Sequence, residues 1–269
     1  MNEVAMKKKQ EVGAVSALEE FAGQGSEYVT AKDTKLPILK LINANSPFTN
    51  QNDGKFNKDA RVGDIYNEIT GSLYKGNEGI LVVPCLYVNT FNEWADRGAS
   101  PGRPIQISRD PGIMKQTQRG DENKDRLENG HYVEDTGNHF VYILNNKYEP
   151  VEQALITMKS TQKKISRLWN SMIQSRRLEG KKGFFTPPSW ATVYRLISVQ
   201  ESNNKGSWIG WQVAFDSFLN KPNQEKTLEL TKDFYSSAMQ SDIFGKVDFE
   251  SEKPQATVEK PQVKDDVPF

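Results

Sequence analysis

The chain has 269 residues, enough for one good hydrophobic core or two small ones. Its 35 Lys and Arg residues balance its 35 Asp and Glu residues, so net charge predicts no polyanionic partner. The single cysteine, Cys85, excludes an internal disulfide framework, and no apolar run approaches the ~20 residues of a membrane-spanning helix. The start, MNEVAMKKKQ, lacks the apolar stretch of a signal peptide, so we expect a cytoplasmic protein.

The first part of the chain predicts an arm followed by strands. Residues 1–30 are rich in Ala, Gly and Glu and predict a flexible N-terminal arm. Residues 36–48, LPILKLINANSPF, predict an irregular strand that closes a barrel or edge, because two prolines interrupt the apolar run. Residues 60–74 predict two short strands joined by a turn. The Val-rich run 79–91 predicts the strongest strand, in which one proline indicates an edge position or a bulge.

The middle of the chain combines a long insertion with the clearest helix. Residues 95–138 are rich in Gly, Pro and charged residues and predict a long loop inserted between two strands, since strand-like sequence resumes at 139–144 and 152–159. Ser160 or Thr161 is expected to cap the helix that follows. Its apolar positions fit the i, i+3, i+4, i+7, i+8 pattern and are Ile165, Leu168, Trp169, Met172 and Ile173.

The last part of the chain predicts a hairpin, a helix and a tail. Residues 187–199 and 207–215 predict two strands joined by a turn that contains Gly206. Residues 223–240 predict a weaker amphipathic helix. Residues 241–269 are rich in Glu, Lys, Pro and Gln and predict a disordered, acidic C-terminal tail.

These elements predict a mainly β fold, an OB-fold-like antiparallel barrel with one or two helices, although other barrels and sandwiches also fit. We expect this domain to cover residues 31–240. No catalytic residue, metal site or cofactor is predicted. His131, His139 and Cys85 do not have the spacing of metal ligands, and GKKG at 180–183 lacks the frame of a phosphate-binding loop.

Charge is segregated locally although it cancels overall. Residues 147–182 carry nine basic and three acidic side chains, a net of +6, whereas residues 242–269 carry four basic and seven acidic ones, a net of −3. The basic segment can bind the tail or an external polyanion. A solvated helix face would explain its helical cations equally well. The basic candidates for contact with DNA are Lys159, Lys163, Lys164, Arg167, Arg195 and Lys205.

Binding of single-stranded nucleic acid needs aromatic side chains as well as positive charge, and aromatic residues occur near these cations. Strict alternation in 207–215 places Trp211 on the core face and Trp208 on the opposite face. Stacking of a base on an exposed aromatic contributes ~1–3 kcal/mol whatever the base. The aromatic candidates for contact with DNA are Trp208, Tyr194, Tyr142 and Tyr87, although a core position is the expected alternative for each tyrosine.

The final residues, KDDVPF, have the character of a docking peptide. Asp265 and Asp266 can meet a basic rim, while the apolar tip Val267-Pro268-Phe269 fills a pocket. We expect this tip to bind a partner protein. A solvated polar tail that ends in Phe is the alternative.

Several stretches of the chain resemble bacteriophage single-stranded-DNA-binding proteins (SSBs), in the same order. They are LPILKLINANSPF, ARVGDIYNEITGSLY, ILVVPCLYVNTFNEW and PPSWATVYRLISVQESNNKGSWIGWQVAF, and the tip DDVPF resembles the acidic tip of SSBs. The resemblance implies an OB-fold body that coats ssDNA in phage replication or recombination. It also implies a tip that competes with DNA and recruits replication or recombination proteins. Three lysines, Lys253, Lys260 and Lys264, make this tail less acidic than is usual in the family.

Two other functions stay open. A phage virion or assembly protein would use the barrel to pack subunits. A metal-dependent, DNA-processing nuclease would use acidic pairs such as Asp121-Glu122 and Glu134-Asp135. The sequence also leaves open whether the chain forms a homo-oligomer.

Overall fold

The computed structural model describes residues 35–96, 103–120, 122–204 and 206–240, together with residue 21, residues 24–29 and residue 33. Residues 1–35 and 36–269 form two compact units. All of the described strands and helices lie in the second unit. The predicted tail, 241–269, lies outside the described residues, as does most of the predicted arm.

The described residues contain thirteen strands and two α-helices. The strands are β1 (Leu39–Leu41), β2 (Ile65–Asn67), β3 (Leu73–Tyr74), β4 (Ile80–Trp94), β5 (Gln106–Ser108), β6 (Gln118–Arg119), β7 (Asp125–Arg126), β8 (Tyr132–Leu144), β9 (Pro150–Lys159), β10 (Leu178–Gly180), β11 (Gly183–Phe185), β12 (Thr192–Asn203) and β13 (Gly206–Phe218). The helices are α1 (Lys163–Ser175) and α2 (Glu225–Gln240). Short 3-10 helices span Pro47–Thr49, Pro111–Gln116, Ser160–Gln162, Ser189–Ala191 and Pro222–Gln224.

Five long strands form the main sheet in the order β13-β12-β4-β8-β9. The first three in sequence, β4, β8 and β9, form an antiparallel meander. Helix α1 follows, and β12 and β13 then form a hairpin whose first strand pairs with β4, with Tyr194 opposite Val82. The sheet curls into a half-barrel, and this connectivity is that of a partly open, five-stranded OB-type barrel. The prediction of a mainly β, OB-like fold with few helices is confirmed.

The two faces of the curled sheet bury separate cores. The inner face packs against α1, because the apolar side of this helix points into the barrel. The outer face packs against α2. The largest fully buried side chains of the two cores include Trp169, Tyr194, Phe140, Ile143, Leu155, Ile156, Met158 and Leu196.

Side chains and a short strand cover the two free edges of the barrel. The Leu155 N–H of β9 donates to the Pro37 carbonyl at 2.8 Å, next to β1, as expected for an irregular strand at a barrel edge. On β13, the Ile209 N–H donates to Asn43 Oδ1 at 3.2 Å, and the Trp211 N–H donates to Gln162 Oε1 at 2.8 Å. These bonds satisfy edge amides that would otherwise be open to pairing.

Two sequence-based expectations need correction. Strand β8 begins at Tyr132, so the end of the predicted insertion is paired with the extended end of β4, and the described part of the insertion contains β5, β6 and β7. The strands pair through backbone hydrogen bonds here, although their side chains do not alternate clearly between apolar and polar residues. Helix α1 has no side-chain cap, because a 3-10 turn precedes it and Ser160 adopts a φ of 50°.

Candidate nucleic-acid interface

Helix α1 presents a basic stripe to solvent. Lys164 and Arg167 lie on its exposed side, and so does Leu168, which is 52% exposed although the apolar pattern predicts it on the buried side. The opposite side buries Trp169 and Ile173 in the barrel. Residues three and four positions apart share a helix face, so the two cations can contact one extended ligand.

Carboxylates from the sheet reduce this positive charge at one end of the stripe. Lys163 is buried and binds Asp135 at 2.6 Å as well as Asn89 Oδ1, so it has a structural role. Arg167 lies 3.7 Å from the second oxygen of Asp135, although its side chain is 72% exposed. Arg167 therefore keeps most of its capacity to bind a phosphate, whereas Lys163 does not.

A second carboxylate joins the stripe to the β12–β13 hairpin. Glu201 on β12 lies 3.5 Å from Lys164 and accepts a bond from Gln162 at 3.3 Å. Its cross-strand partner on β13 is Trp208. Glu201 thus links Lys164, through an ion pair, to Trp208, its cross-strand neighbour, although these two residues lie 44 positions apart in the chain.

Trp208 lies on the predicted face of β13. Trp211 belongs to the inner core and is 4% exposed, while Trp208 faces outward and is only partly buried. Its Nε1 is shielded from solvent and has no hydrogen-bond partner among the described residues. The Trp208 side chain is thus partly accessible, as stacking on a base requires, and it lies opposite Glu201, the ion-pair partner of Lys164.

Lys159 lies apart from the helix stripe, at the end of β9. It is 3.4 Å from Glu134 and 5.9 Å from the centre of the Trp94 ring. Glu134, like Asp135 and Glu201, lies close to cations of the basic segment 147–182. All three acids lie outside residues 147–182. The net charge counted along that segment therefore overestimates the positive potential at its surface.

The other predicted aromatic contacts are mostly internal. Tyr194 is fully buried, with its ring centre 5.8 Å from Trp169 and 5.6 Å from Phe215, so it cannot stack on DNA in this structure. Tyr142 packs edge-on against Phe234 of α2 at 6.0 Å. Neither ring therefore belongs to the surface formed by α1 and Trp208.

Tyr87 and Arg195 are partly exposed, but both side chains are already engaged in contacts within the protein. Tyr87 packs against His139 at 4.8 Å and donates to Asn89 at 3.0 Å. Arg195 donates to the Glu78 carbonyl at 3.2 Å. Lys205 and the tip residues Asp265, Asp266, Val267, Pro268 and Phe269 lie outside the described residues.

His139 is a structural histidine. It is fully buried, stacks on Trp169 at 4.3 Å, and its Nε2 lies 2.8 Å from Ser166 Oγ. Burial, and secondarily the charge of Lys163, lowers the pKa of His139 to about 3. The ring is therefore neutral at physiological pH. No group of three or more His, Cys, Asp or Glu residues within the described ranges is arranged to hold a metal ion.

Sequence reasoning missed a basic and aromatic hairpin that follows α1. Strands β10 and β11 form their own two-stranded sheet, with Lys181 and Lys182 in the turn. Phe184 is 74% exposed and Phe185 is 45% exposed. The signal was present as the stretch KKGFF, where two lysines and a glycine precede two aromatics.

The described part of the chain is thus an OB-type β protein with basic and aromatic side chains on one helix face and on two hairpins. The chain matches the model of the Pam3 phage gp34-like protein family over residues 6–243, which is most of its length, and it belongs to that family. It is therefore a phage protein. No curated protein and no solved structure matches it significantly. None of the helices in the described ranges has the length and apolar character needed to span a membrane.

Proposed function

We propose that this phage protein is a non-catalytic single-stranded-DNA-binding protein that coats ssDNA, without sequence preference, during replication or recombination in the host cytoplasm. Residues 265–269 would recruit a replication or recombination protein. The SSB-like sequence patterns in the body and tip support this proposal.

The observation that carries the proposal is the ion pair of the exposed Lys164 with Glu201, which is the cross-strand partner of Trp208. Arg167 lies about one turn further along the exposed side of α1. In OB folds, the loop between the fourth and fifth strands is one of two loops that contact oligonucleotides. The corresponding connection here is the β12–β13 turn, two positions before Trp208. Cations that neutralise phosphates, next to a ring that stacks on bases, are the components of sequence-tolerant single-strand binding.

The number of accessible cations sets the expected salt dependence. Lys164 and Arg167 are exposed despite their acidic neighbours, and Lys181 and Lys182 extend the positive surface. With about four phosphate contacts at a slope of ~0.7 each, log K should fall with log[salt] with a slope of roughly −3.

Fluorescence anisotropy with a labelled oligo-dT strand, the matching duplex and a single-stranded RNA tests the proposal. We expect the wild-type chain to prefer the single strand over the duplex, and the double variant Lys164→Gln/Arg167→Gln to bind more weakly with a shallower salt slope. Lys226→Gln/Lys232→Gln on α2 is the matched control, because these lysines are also exposed helix residues. Equal affinity for duplex, or a flat salt response, would contradict the proposal.

A further inference from the structure

The β10–β11 hairpin exposes two aromatic rings on a small, separate sheet. Leu178 pairs with Phe185 and Glu179 pairs with Phe184. A Cβ on Gly180 would lie 3.1 Å from the Phe185 ring, so this ring covers the backbone of the opposite strand. Adjacent strand residues point to opposite faces, which leaves the Phe184 ring uncovered.

Folding does not explain this arrangement. Full burial of a Phe side chain contributes about 1.5–3 kcal/mol, and Phe184 forgoes most of it. A lone two-stranded hairpin is marginally stable in water unless it packs against other elements. Phe, like Tyr and Trp, is enriched in binding surfaces relative to the rest of the protein surface.

The positive charge of the hairpin turn indicates a negatively charged ligand. Lys181 and Lys182 occupy the turn, and Gly183 closes it with a φ of 106°, a conformation that favours glycine. Both lysines are exposed, and within the described residues neither has a carboxylate at ion-pair distance. Phosphates flanking a stacked base match two free cations beside an aromatic ring.

Arg177 fixes the hairpin to the end of α1. Its Nη1 donates to the Gln174 carbonyl at 2.9 Å and to Thr186 Oγ1 at 2.6 Å, which ties the residue after β11 to the helix. The neighbouring Arg176 lies 4.1 Å from the centre of the Phe215 ring in the barrel. The hairpin therefore lies at the C-terminal end of α1, whereas Glu201, the cross-strand partner of Trp208, contacts Lys164 near the N-terminal end. Thirteen residues of helix separate the two by about 20 Å at 1.5 Å per residue.

We propose that the β10–β11 hairpin is a second stacking site for single-stranded DNA, in which Phe184 stacks on a base while Lys181 and Lys182 bind the adjacent phosphates. The inference rests on the proposed function and adds a site to it. A strand bound at both ends of α1 would run along Lys164 and Arg167. The segment between α1 and β12, which contains this hairpin, then contacts the bound DNA strand as a projecting element.

The test compares Phe184→Ala with Phe56→Ala, which removes a partly exposed phenylalanine far along the chain from the hairpin. Each variant is titrated against oligo-dT and against a strand of the same length with abasic sites. We expect Phe184→Ala to weaken oligo-dT binding about 5- to 150-fold, the equivalent of ~1–3 kcal/mol at 1.4 kcal/mol per tenfold, with little further loss on the abasic strand. Phe56→Ala should bind both strands as the wild-type chain does.

These measurements distinguish a failure of the proposed function from a failure of the hairpin site alone. A wild-type chain that does not bind oligo-dT would overturn the proposed function itself. A wild-type chain that binds, with unchanged affinity in Phe184→Ala, would overturn the hairpin site alone. Equal losses on the normal and the abasic strand would exclude stacking. Lys181→Ala/Lys182→Ala should reduce the salt slope by about 1.4, for two phosphate contacts, and an unchanged slope would contradict the phosphate contacts.

Discussion

Trp208 and Trp211 allow binding and folding to be tested separately on one strand. They lie three residues apart on β13 but on opposite faces. Trp211 is buried in the barrel core, whereas Trp208 is partly accessible beside Glu201 and Lys164. Truncation of each ring to Ala should therefore have different consequences.

The expected magnitudes follow from burial. Trp211→Ala leaves a large cavity and should cost about 3–5 kcal/mol of unfolding free energy. At roughly 2–4 °C per kcal/mol for a domain of this size, Tm should fall by about 6–20 °C. Trp208→Ala should cost about 1 kcal/mol of stability, because its ring is only partly packed, but ~1–3 kcal/mol of ssDNA binding.

Thermal unfolding followed by circular dichroism measures the first quantity, and anisotropy with labelled oligo-dT, well below the Tm of both variants, measures the second. A large loss of Tm in Trp208→Ala together with normal stability in Trp211→Ala would refute the assigned faces of β13. Unchanged ssDNA affinity in a folded Trp208→Ala would refute its role in stacking.

Four further outcomes are expected. Arg167→Glu should weaken oligo-dT binding more than Arg167→Gln does, because the new carboxylate repels phosphate; equal affinities measured by anisotropy would contradict this. The pKa of His139 is near 6.5 in the unfolded chain and about 3 in the folded one. The free energy of unfolding should therefore fall as the pH drops below 6.5, by ~2 kcal/mol at pH 5. Urea unfolding of His139→Gln at several pH values should show a pH dependence that lacks this contribution. Gly137→Ala should destabilise the chain by about 1–3 kcal/mol, since the new methyl would collide with the Ser166 hydroxyl on α1, and an unchanged Tm would refute that packing. Removal of Phe269 should abolish capture of replication proteins in a pull-down yet leave oligo-dT affinity nearly unchanged, and identical partner lists would contradict a docking role.

The fold was predictable where periodicity was strong. The apolar pattern around Trp169 predicts α1, and the alternation around Trp211 assigns the correct face of β13. The two faces of β4 could not be assigned from sequence, because both are buried, one under α1 and the other under α2. A strand buried on both faces is a continuous apolar run without a period.

The candidate site was predictable only in part, because contacts between distant segments decide the accessibility of each side chain. Lys163 has the sequence context of an exposed helical cation, yet Asp135 from β8 pairs with it and burial hides it. Tyr194 lies on the same face of β12 as Leu196 and opposite Phe215, so this ring is buried in the inner core. The exposure of Phe184 has the same origin, since its strand pairs with β10 and not with the main sheet.

Amide hydrogen exchange of the full chain with and without saturating oligo-dT tests the central claim most directly. We expect slower exchange in α1, in the turn before Trp208 and in the β10–β11 hairpin, with no change on α2. Protection confined to α2, or no protection at saturating oligo-dT, would contradict an interface that runs along α1.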